Sequence, residues 1–269
     1  MSRQIYSLFG RWRPDYTDPA TIGARFLDTL DRLGPLGPAM NNWLLLDMST
    51  AEATTVPLAR ARPRMAEWVL KNVVRDDDDE PDPRDGYQLI TWGGEVESEF
   101  GAPRSINVKV QAGSQRHNQA SFSVGGLNRP PDRALVTYPA YRGALEILAS
   151  IWPLPWMEAY VFLPDLIPRI TEPMVTPPIP PGTELQFPWM LYLSAPLAAG
   201  LIPPADLICD PTPGGGVILS VVRERLDPEN PDHLRRARLL QATMDERVGE
   251  EQPPNGVGAA SPPPRVGPY

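Results

Sequence analysis

Few residues of this chain of 269 residues could act in catalysis or bind a metal. It has two histidines, His117 and His233, and a single cysteine, Cys209. Neither histidine has a metal-ligand spacing such as His-Glu-x-x-His, and one cysteine completes neither a zinc site nor an internal disulfide. The glycine run Gly214–Gly216 lacks the lysine of a P-loop, and no Gly-x-Ser-x-Gly motif is present. We expect both histidines at the surface, and we predict no catalytic residue, no metal site and no cofactor.

Acidic residues are the only plentiful titratable groups, and they are concentrated in one segment. Between Asp76 and Glu99 there are ten acids and one base, Arg84, so this segment has a charge of −9 in a chain whose net charge is −8. Such a field repels nucleic-acid phosphates and attracts a basic protein. The candidate partner contacts are Asp76, Asp77, Asp78, Asp79, Glu95, Glu97 and Glu99.

Two other interpretations of these acids stay open. The run Asp76–Asp79 is also typical of a solvated loop whose charges only keep the protein soluble. Glu95, Glu97 and Glu99 alternate, so on a strand they would share one face and could hold Mg²⁺ or Ca²⁺. A nuclease-type metal site would also need a nearby lysine, and both lysines of the chain are distant in the sequence. We therefore favour a partner-facing patch over a metal site.

Composition indicates a globular protein with an unusual proline content. Proline accounts for 35 residues, about 13% of the chain against a usual ~5%. The apolar content of 42% is too high for wholesale disorder. The N-terminus has no signal-peptide pattern, no window reaches the ~20 apolar residues of a membrane span, and a single cysteine fits a reducing compartment. We expect a soluble, cytoplasmic protein that binds neither membranes nor nucleic acid directly.

The N-terminal part of the chain alternates between strand and helix patterns. Asp18 is a suitable N-cap and Pro19 suits the first helical position, so the apolar stripe that follows predicts a helix. The elements predicted here are a strand over 4–12, a helix ended by Gly34, a strand over 43–48 and a helix that begins near Pro63 and carries Met65, Val69 and Val73 on one face.

Beyond the acidic segment, apolar residues alternate with a period of two. Three successive strand patterns with short polar connections favour an antiparallel meander. The predicted elements are strands near 87–89, 106–110 and 122–124, a helix carrying Tyr141, Leu145, Leu148 and Trp152, strands over 189–193 and 217–222, and a last helix capped by Asn230 and Pro231. We predict an α+β fold with a single domain over 1–248, a mostly antiparallel sheet with helices packed on it, and a disordered Pro/Gly-rich tail over 249–269.

Several stretches form an ordered set of local motifs. They are YSLFGRWRP (Tyr6–Pro14), the strand NWLLLDM, FPWMLYLS (Phe187–Ser194), and GGGVILSV followed by LDPENPDHLRRARLLQATM. In this order they resemble the immunity protein 52 family over about residues 3–248. The last stretch, which turns through Asp-x-x-Asn-Pro-x-His into an amphipathic helix, is the most specific. Pro188 departs from the pattern, because the family has glycine before the tryptophan.

The resemblance implies a protein that binds and neutralises a cognate toxin of a bacterial polymorphic toxin system, and not an enzyme. Toxins paired with this family often look like restriction-endonuclease-fold DNases that secretion systems such as type VI deliver during bacterial competition. DNases carry basic surfaces, which the acidic segment would attract. The family supplies neither catalytic residues nor transferable contacts. Two alternatives stay open: an effector chaperone or adaptor for a secretion system, and a metal-dependent enzyme that uses the acidic cluster.

Overall fold

The computed structural model describes residues 4–49, 54–76, 78, 80–93, 106–125, 133–163 and 186–249. The strands within these residues are β1 (Ile5–Trp12), β2 (Trp43–Asp47), β3 (Thr54–Pro57), β4 (Tyr87–Gly93), β5 (Ile106–Ala112), β6 (Asn118–Val124), β7 (Trp156–Phe162), β8 (Gln186–Leu193), β9 (Ile208–Pro211) and β10 (Val217–Ser220). The helices are α1 (Pro19–Leu33), α2 (Leu58–Ala61), α3 (Met65–Lys71), α4 (Tyr138–Ile151), α5 (Ala195–Ala198) and α6 (Pro231–Val248).

The strands form one antiparallel sheet in the order β3-β2-β4-β5-β6-β1-β7-β8-β10-β9. The N-terminal strand β1 lies near its middle, with Tyr6 opposite Val124 of β6 on one side and Val161 of β7 on the other. The predicted meander is confirmed, because β4, β5 and β6 are neighbours in antiparallel pairs. The single-domain α+β class, with helices packed on a large antiparallel sheet, is confirmed as well.

An aromatic cluster on one face of the sheet joins β1, α4 and β8. The ring of Tyr6 lies 6.3 Å from that of Tyr141 and 6.1 Å from that of Trp189, in edge-to-face arrangements. All three residues are fully buried. The Tyr141 hydroxyl donates a hydrogen bond of 2.8 Å to the backbone carbonyl of Tyr6, which satisfies its buried polar atom. The cluster therefore fixes α4 against the middle of the sheet.

A second aromatic pair fixes both long helices on this face. Trp12 of β1 stacks on Trp152 at the end of α4, with ring centroids 5.5 Å apart. The Trp152 indole Nε1 donates to the Thr29 hydroxyl of α1 over 3.1 Å. Trp12 therefore holds the end of α4 against β1, and Trp152 holds the same end against α1.

The helix ends agree with the capping signals of the sequence. The Asp18 carboxylate accepts hydrogen bonds from the backbone N–H groups of Ala20 and Thr21, both at 3.0 Å. Asn230 caps α6 in the same way, and Gly249 ends that helix with a φ of 58°. Residues 250–269 of the predicted tail lie outside the described residues. Within the described part, no helix has the length and apolarity that crossing a membrane requires.

The predicted second helix is correct in part. Met65 and Val69 are buried on α3. The helix ends at Lys71, however, and Val73 instead forms an isolated antiparallel bridge with Tyr87. Asn72 explains this end, because its side-chain amide donates to the Trp68 carbonyl and its carboxamide oxygen accepts from the Met48 N–H. A polar residue that bonds to neighbouring backbone competes with helix continuation.

The sequence did not predict β7, although this strand lies next to β1 in the sheet. Most of its residues are buried on both faces, so its sequence WMEAYVF lacks the alternation that marks a half-exposed strand. Pro155 and Pro164 flank it in the sequence, and proline is uncommon in interior strands. A carboxyl group in its centre, Glu158, is 3% exposed, and its hydrogen-bond donor is the Gln186 amide at 3.4 Å.

Helix α6 packs against β8, and its buried residues include Leu240 and Met244. Glu158 lies on the sheet face opposite Leu8 and Tyr6, since the next residue, Ala159, is the one paired with Leu8. Burial raises the pKa of Glu158 to about 7, and the negative charge of Asp245 on α6 adds to the increase. Near neutral pH, part of the protein therefore holds this carboxyl group protonated.

We expect Glu158→Gln to stabilise the protein at pH 8 and to have little effect at pH 5. The folded-state pKa lies above the ordinary value of 4.5, so the stability that protonated Glu158 gives at low pH is lost as the pH rises towards 7. The full shift corresponds to about 3 kcal/mol. Urea denaturation of both variants at the two pH values measures the difference. The matched control is Glu229→Gln, since Glu229 is exposed; an equal gain at both pH values would contradict the assignment.

Candidate functional site

The acidic segment begins as a narrow hairpin that leads from α3 to β4. Isolated bridges pair Val73 with Tyr87 and Arg75 with Pro81. Closer to the tip, the Asp76 N–H donates to the Glu80 carbonyl over 2.9 Å. The start of the acidic run therefore lies at the end of a hydrogen-bonded turn.

The described acids at the tip of this hairpin point into solvent. Asp76, Asp78 and Glu80 are exposed. The Asp76 carboxylate also organises the turn, because it accepts hydrogen bonds from the N–H groups of Asp78 at 3.0 Å and Glu80 at 2.9 Å. The other candidate contacts, Asp77, Asp79, Glu95, Glu97 and Glu99, lie outside the described residues.

Two acids at the base of the hairpin are neutralised by arginines. The Asp82 carboxylate accepts two hydrogen bonds of 2.9 Å from the Arg84 guanidinium, and these bonds hold its pKa below the ordinary value. Arg116, which lies outside the acidic segment in sequence, contacts the Asp85 carboxylate at 3.1 Å. Arg84 is already included in the segment's charge of −9, so it is Arg116 that lowers the net negative charge at the base further, and the exposed acids of the described part lie at the tip.

The two histidines have different environments. His117 is exposed, as expected, and partial burial together with nearby Arg11 lowers its pKa. The expectation for His233 is wrong, because this residue is only 7% exposed. Its Nδ1 accepts a hydrogen bond of 3.0 Å from the Asp227 N–H, and its Nε2 lies 3.4 Å from a carboxylate oxygen of Glu224. His233 thus has a structural role at the start of α6.

The Asp-x-x-Asn-Pro-x-His motif is a device that starts this helix. Asp227 accepts from the Glu229 N–H at 2.9 Å, and the Asp227 carbonyl accepts from the Asn230 N–H at 3.1 Å. Asn230 then caps the helix through the Asp232 N–H at 3.0 Å. His233 completes the turn by bonding back to Asp227. The N-cap was readable from the sequence, whereas the return bond of the histidine was not.

The described residues do not support a metal centre. Among them, no group of three or more histidine, cysteine, aspartate or glutamate side chains is placed to hold a metal ion. Cys209 is exposed on β9 at one edge of the sheet, beside Asp210, and burial and this neighbour raise the pKa of its thiol. The alternating glutamates for which a metal was considered lie outside the described residues.

A basic groove, which the sequence analysis missed, lies at the opposite edge of the sheet. Its volume is about 210 Å³. The ring of Trp68 is half-buried in it, with the Lys71 ammonium 5.6 Å from the ring centroid. The main lining residues come from β3, α2 and α3 and from the 3-10 turn between the helices, and they are Val56, Arg60, Arg64, Glu67, Trp68 and Lys71. The closely spaced arginines of LARARPRMAEW were the available signal for this surface.

Comparisons with known proteins agree with this fold. The sequence profile of a family described as Immunity protein 52 matches residues 6–249. Among solved structures, the Pseudomonas aeruginosa T6SS protein PA0821 is similar, with a TM-score of 0.51 and 12% sequence identity over 91% of this chain and 73% of that chain. The search of curated proteins gave no match.

We expect His233→Ala to destabilise the protein by about 1–3 kcal/mol, because it leaves the Asp227 N–H without its acceptor. His233→Asn places a carboxamide oxygen near the position of Nδ1 and is expected to recover part of this loss. Thermal unfolding of both variants, with exposed His117→Ala as the control, measures the effect. Equal losses for the alanine and asparagine variants would show that packing, and not the hydrogen bond, is what His233 contributes.

Proposed function

The chain belongs to the immunity protein 52 family, and we propose on this premise that it binds and neutralises a cognate bacterial toxin by stable protein–protein interaction. The toxin we propose is a DNase of the restriction-endonuclease fold, delivered between competing bacteria by a type VI secretion system. The immunity protein acts in the cytoplasm, where an incoming nuclease would meet the chromosome.

The observation that carries this proposal is the extent of the family match. It spans residues 6–249, from β1 to the end of α6, and so includes the whole sheet and not one motif within it. The similarity to a T6SS protein supports the proposed delivery route. The nuclease activity of the toxin is part of the proposal, and the acidic character of this chain supports it.

The acidic segment gives the proposal a physical mechanism. A DNase must hold a polyanion, so its active-site surface is basic. Carboxylates presented where phosphates would bind accelerate the encounter and favour the correct partner. The exposed tip acids Asp76, Asp78 and Glu80 support this role for the described part of the segment. For the acidic segment as a whole, we propose that Glu95, Glu97 and Glu99 contact the toxin, with Asp76, Asp77, Asp78 and Asp79 contributing to steering.

We expect a toxin-like gene to lie beside the gene of this chain, and neutralisation is tested with its product. We expect the purified chain to bind that protein and to stop its cleavage of DNA in vitro, and co-expression to protect a host that the toxin alone kills. A stable complex that still cleaves DNA would point instead to an effector chaperone or adaptor. Absence of any complex would contradict the proposal.

Replacement of Glu95, Glu97 and Glu99 by glutamine is expected to slow association with the toxin about tenfold at low salt, and to change the dissociation rate less than the association rate. The difference should shrink as salt increases, since ions screen exposed charges. Surface plasmon resonance across a salt series measures both rates. A second variant, with Asp76→Asn, Asp78→Asn and Glu80→Gln, measures the contribution of the hairpin tip.

The matched control removes three exposed acids from other elements, through Asp28→Asn, Glu229→Gln and Glu246→Gln. It changes the net charge equally, so it separates a local field from the overall charge. If the control slows association as much as the test variant, or if the test variant keeps both its rate and its salt dependence, the acidic segment does not steer the toxin.

A further inference from the structure

The basic groove lies at an open edge of the sheet. Among the described strands, β3 is the last on its side, and it pairs with β2. Its residue Val56 lies opposite the buried Leu45 and lines the groove, so the groove opens on the sheet face to which Leu45 belongs. In its described part this edge strand spans Thr54–Pro57 and ends at Pro57, which has no N–H to donate. Strand addition is therefore a poor use of this surface, and side-chain docking suits it better.

One cation of the groove is uncompensated. Arg62 beside the groove bonds to Asp31 over 3.0 Å, Lys71 is paired with Asp47, and Arg64 lies 3.9 Å from Glu67. Among the described residues, no carboxylate forms an ion pair with Arg60, which is exposed. The local excess is therefore a single positive charge, and it suits one carboxylate.

The size of the groove also selects among ligands. Its volume of about 210 Å³ equals the liquid volume of about seven water molecules and falls below the roughly 300–1,000 Å³ of small-molecule sites. A single protein side chain fits such a space. The half-buried Trp68 ring offers the apolar contact that the methylene groups of a glutamate or aspartate would cover.

The surroundings disfavour nucleic acid as the occupant. Helix α3 supplies Trp68 and Lys71 to the groove and runs directly into the acidic hairpin. The Asn72 amide donates to the Trp68 carbonyl over 2.9 Å, so the groove and the acidic hairpin are joined through the end of α3. A polyanion approaching Arg60 would also meet the field of Asp76, whereas a single carboxylate on a folded protein need not.

We propose that this groove anchors one acidic side chain of the toxin, with its carboxylate on the Arg60 guanidinium and its methylene groups on the Trp68 ring. The inference rests on the proposed function. It adds a second contact with the toxin, at which the charge of this chain is positive, whereas the charge of the acidic segment is negative. The acidic segment accelerates encounter, and the groove holds the complex, as buried aromatic and arginine anchors do at interfaces.

The test is Arg60→Glu in the chain of 269 residues, with both rate constants measured against the cognate toxin. We expect dissociation to accelerate at least about tenfold and association to change less than about threefold. Trp68→Leu should accelerate dissociation in the same direction. Because Arg60 is exposed, thermal unfolding of its variant should match that of the wild type.

Arg235→Glu on α6 is the matched control, since it makes the same charge change at an exposed, ion-paired arginine. Acidic residues of the toxin are then replaced one at a time by lysine. A replacement that restores slow dissociation to Arg60→Glu, and not to Arg235→Glu, would identify the docked side chain. If the wild type binds tightly and Arg60→Glu dissociates at the wild-type rate, the groove is not the anchor. If the wild-type chain does not bind the toxin at all, the result contradicts the proposed function itself.

Nucleic acid is the remaining occupant to exclude. We expect the free protein not to bind short duplex or single-stranded DNA at low salt in a fluorescence anisotropy titration. If the wild-type chain binds DNA and Arg60→Glu abolishes that binding, the groove binds phosphate and its assignment to an acidic side chain is wrong.

Discussion

The pairing of β1 with both β6 and β7 holds the whole sheet together. Strands β2 to β6 come from the N-terminal half of the chain, and β7 to β10 from the C-terminal half; among the described strands, β1 is the one that joins these two sets. The aromatic cluster around Tyr6 strengthens this junction with contacts from α4 and β8. Such pairings join residues that are distant in sequence, so the loop-closure entropy they cost must be offset by contacts across the sheet.

Helix α3 brings two surfaces of opposite sign next to each other at one side of this sheet. It supplies Trp68 and Lys71 to the basic groove, and Asn72 ends it and directs the chain into the acidic hairpin. At the end of α3, Lys71 pairs with Asp47. Burial opposes ionisation of Asp47, but hydrogen bonds from Lys71 and Ser49 outweigh burial and lower the pKa of Asp47. A partner that matches this surface must present both signs of charge in one arrangement, which is a source of specificity.

Two buried polar side chains show how differently such groups act in this fold. His233 supplies the hydrogen-bond acceptor for the Asp227 backbone N–H at the start of α6, so its burial completes a hydrogen-bonded turn. Among the described residues, Glu158 accepts just the long hydrogen bonds from Gln186, and the negative charge of Asp245 adds to the increase in its pKa, so its burial makes stability depend on pH. Residue type alone suggested an exposed histidine, because a lone polar residue gives no sign of the backbone group that it satisfies.

The sequence by itself determined the local features: the capped starts of α1 and α6, the alternating strands of the meander, the α+β class and the acidic segment. These depend on side chains within a few residues of each other, where spacing and hydrogen-bonding capacity are readable. Tertiary structure alone decided the central place of β1, the strand β7, the burial of His233 and Glu158, the neutralisation of Asp85 by Arg116, and the groove. Each of these depends on residues far apart in the chain, and such contacts are set by how the sheet and helices pack and not by local pattern.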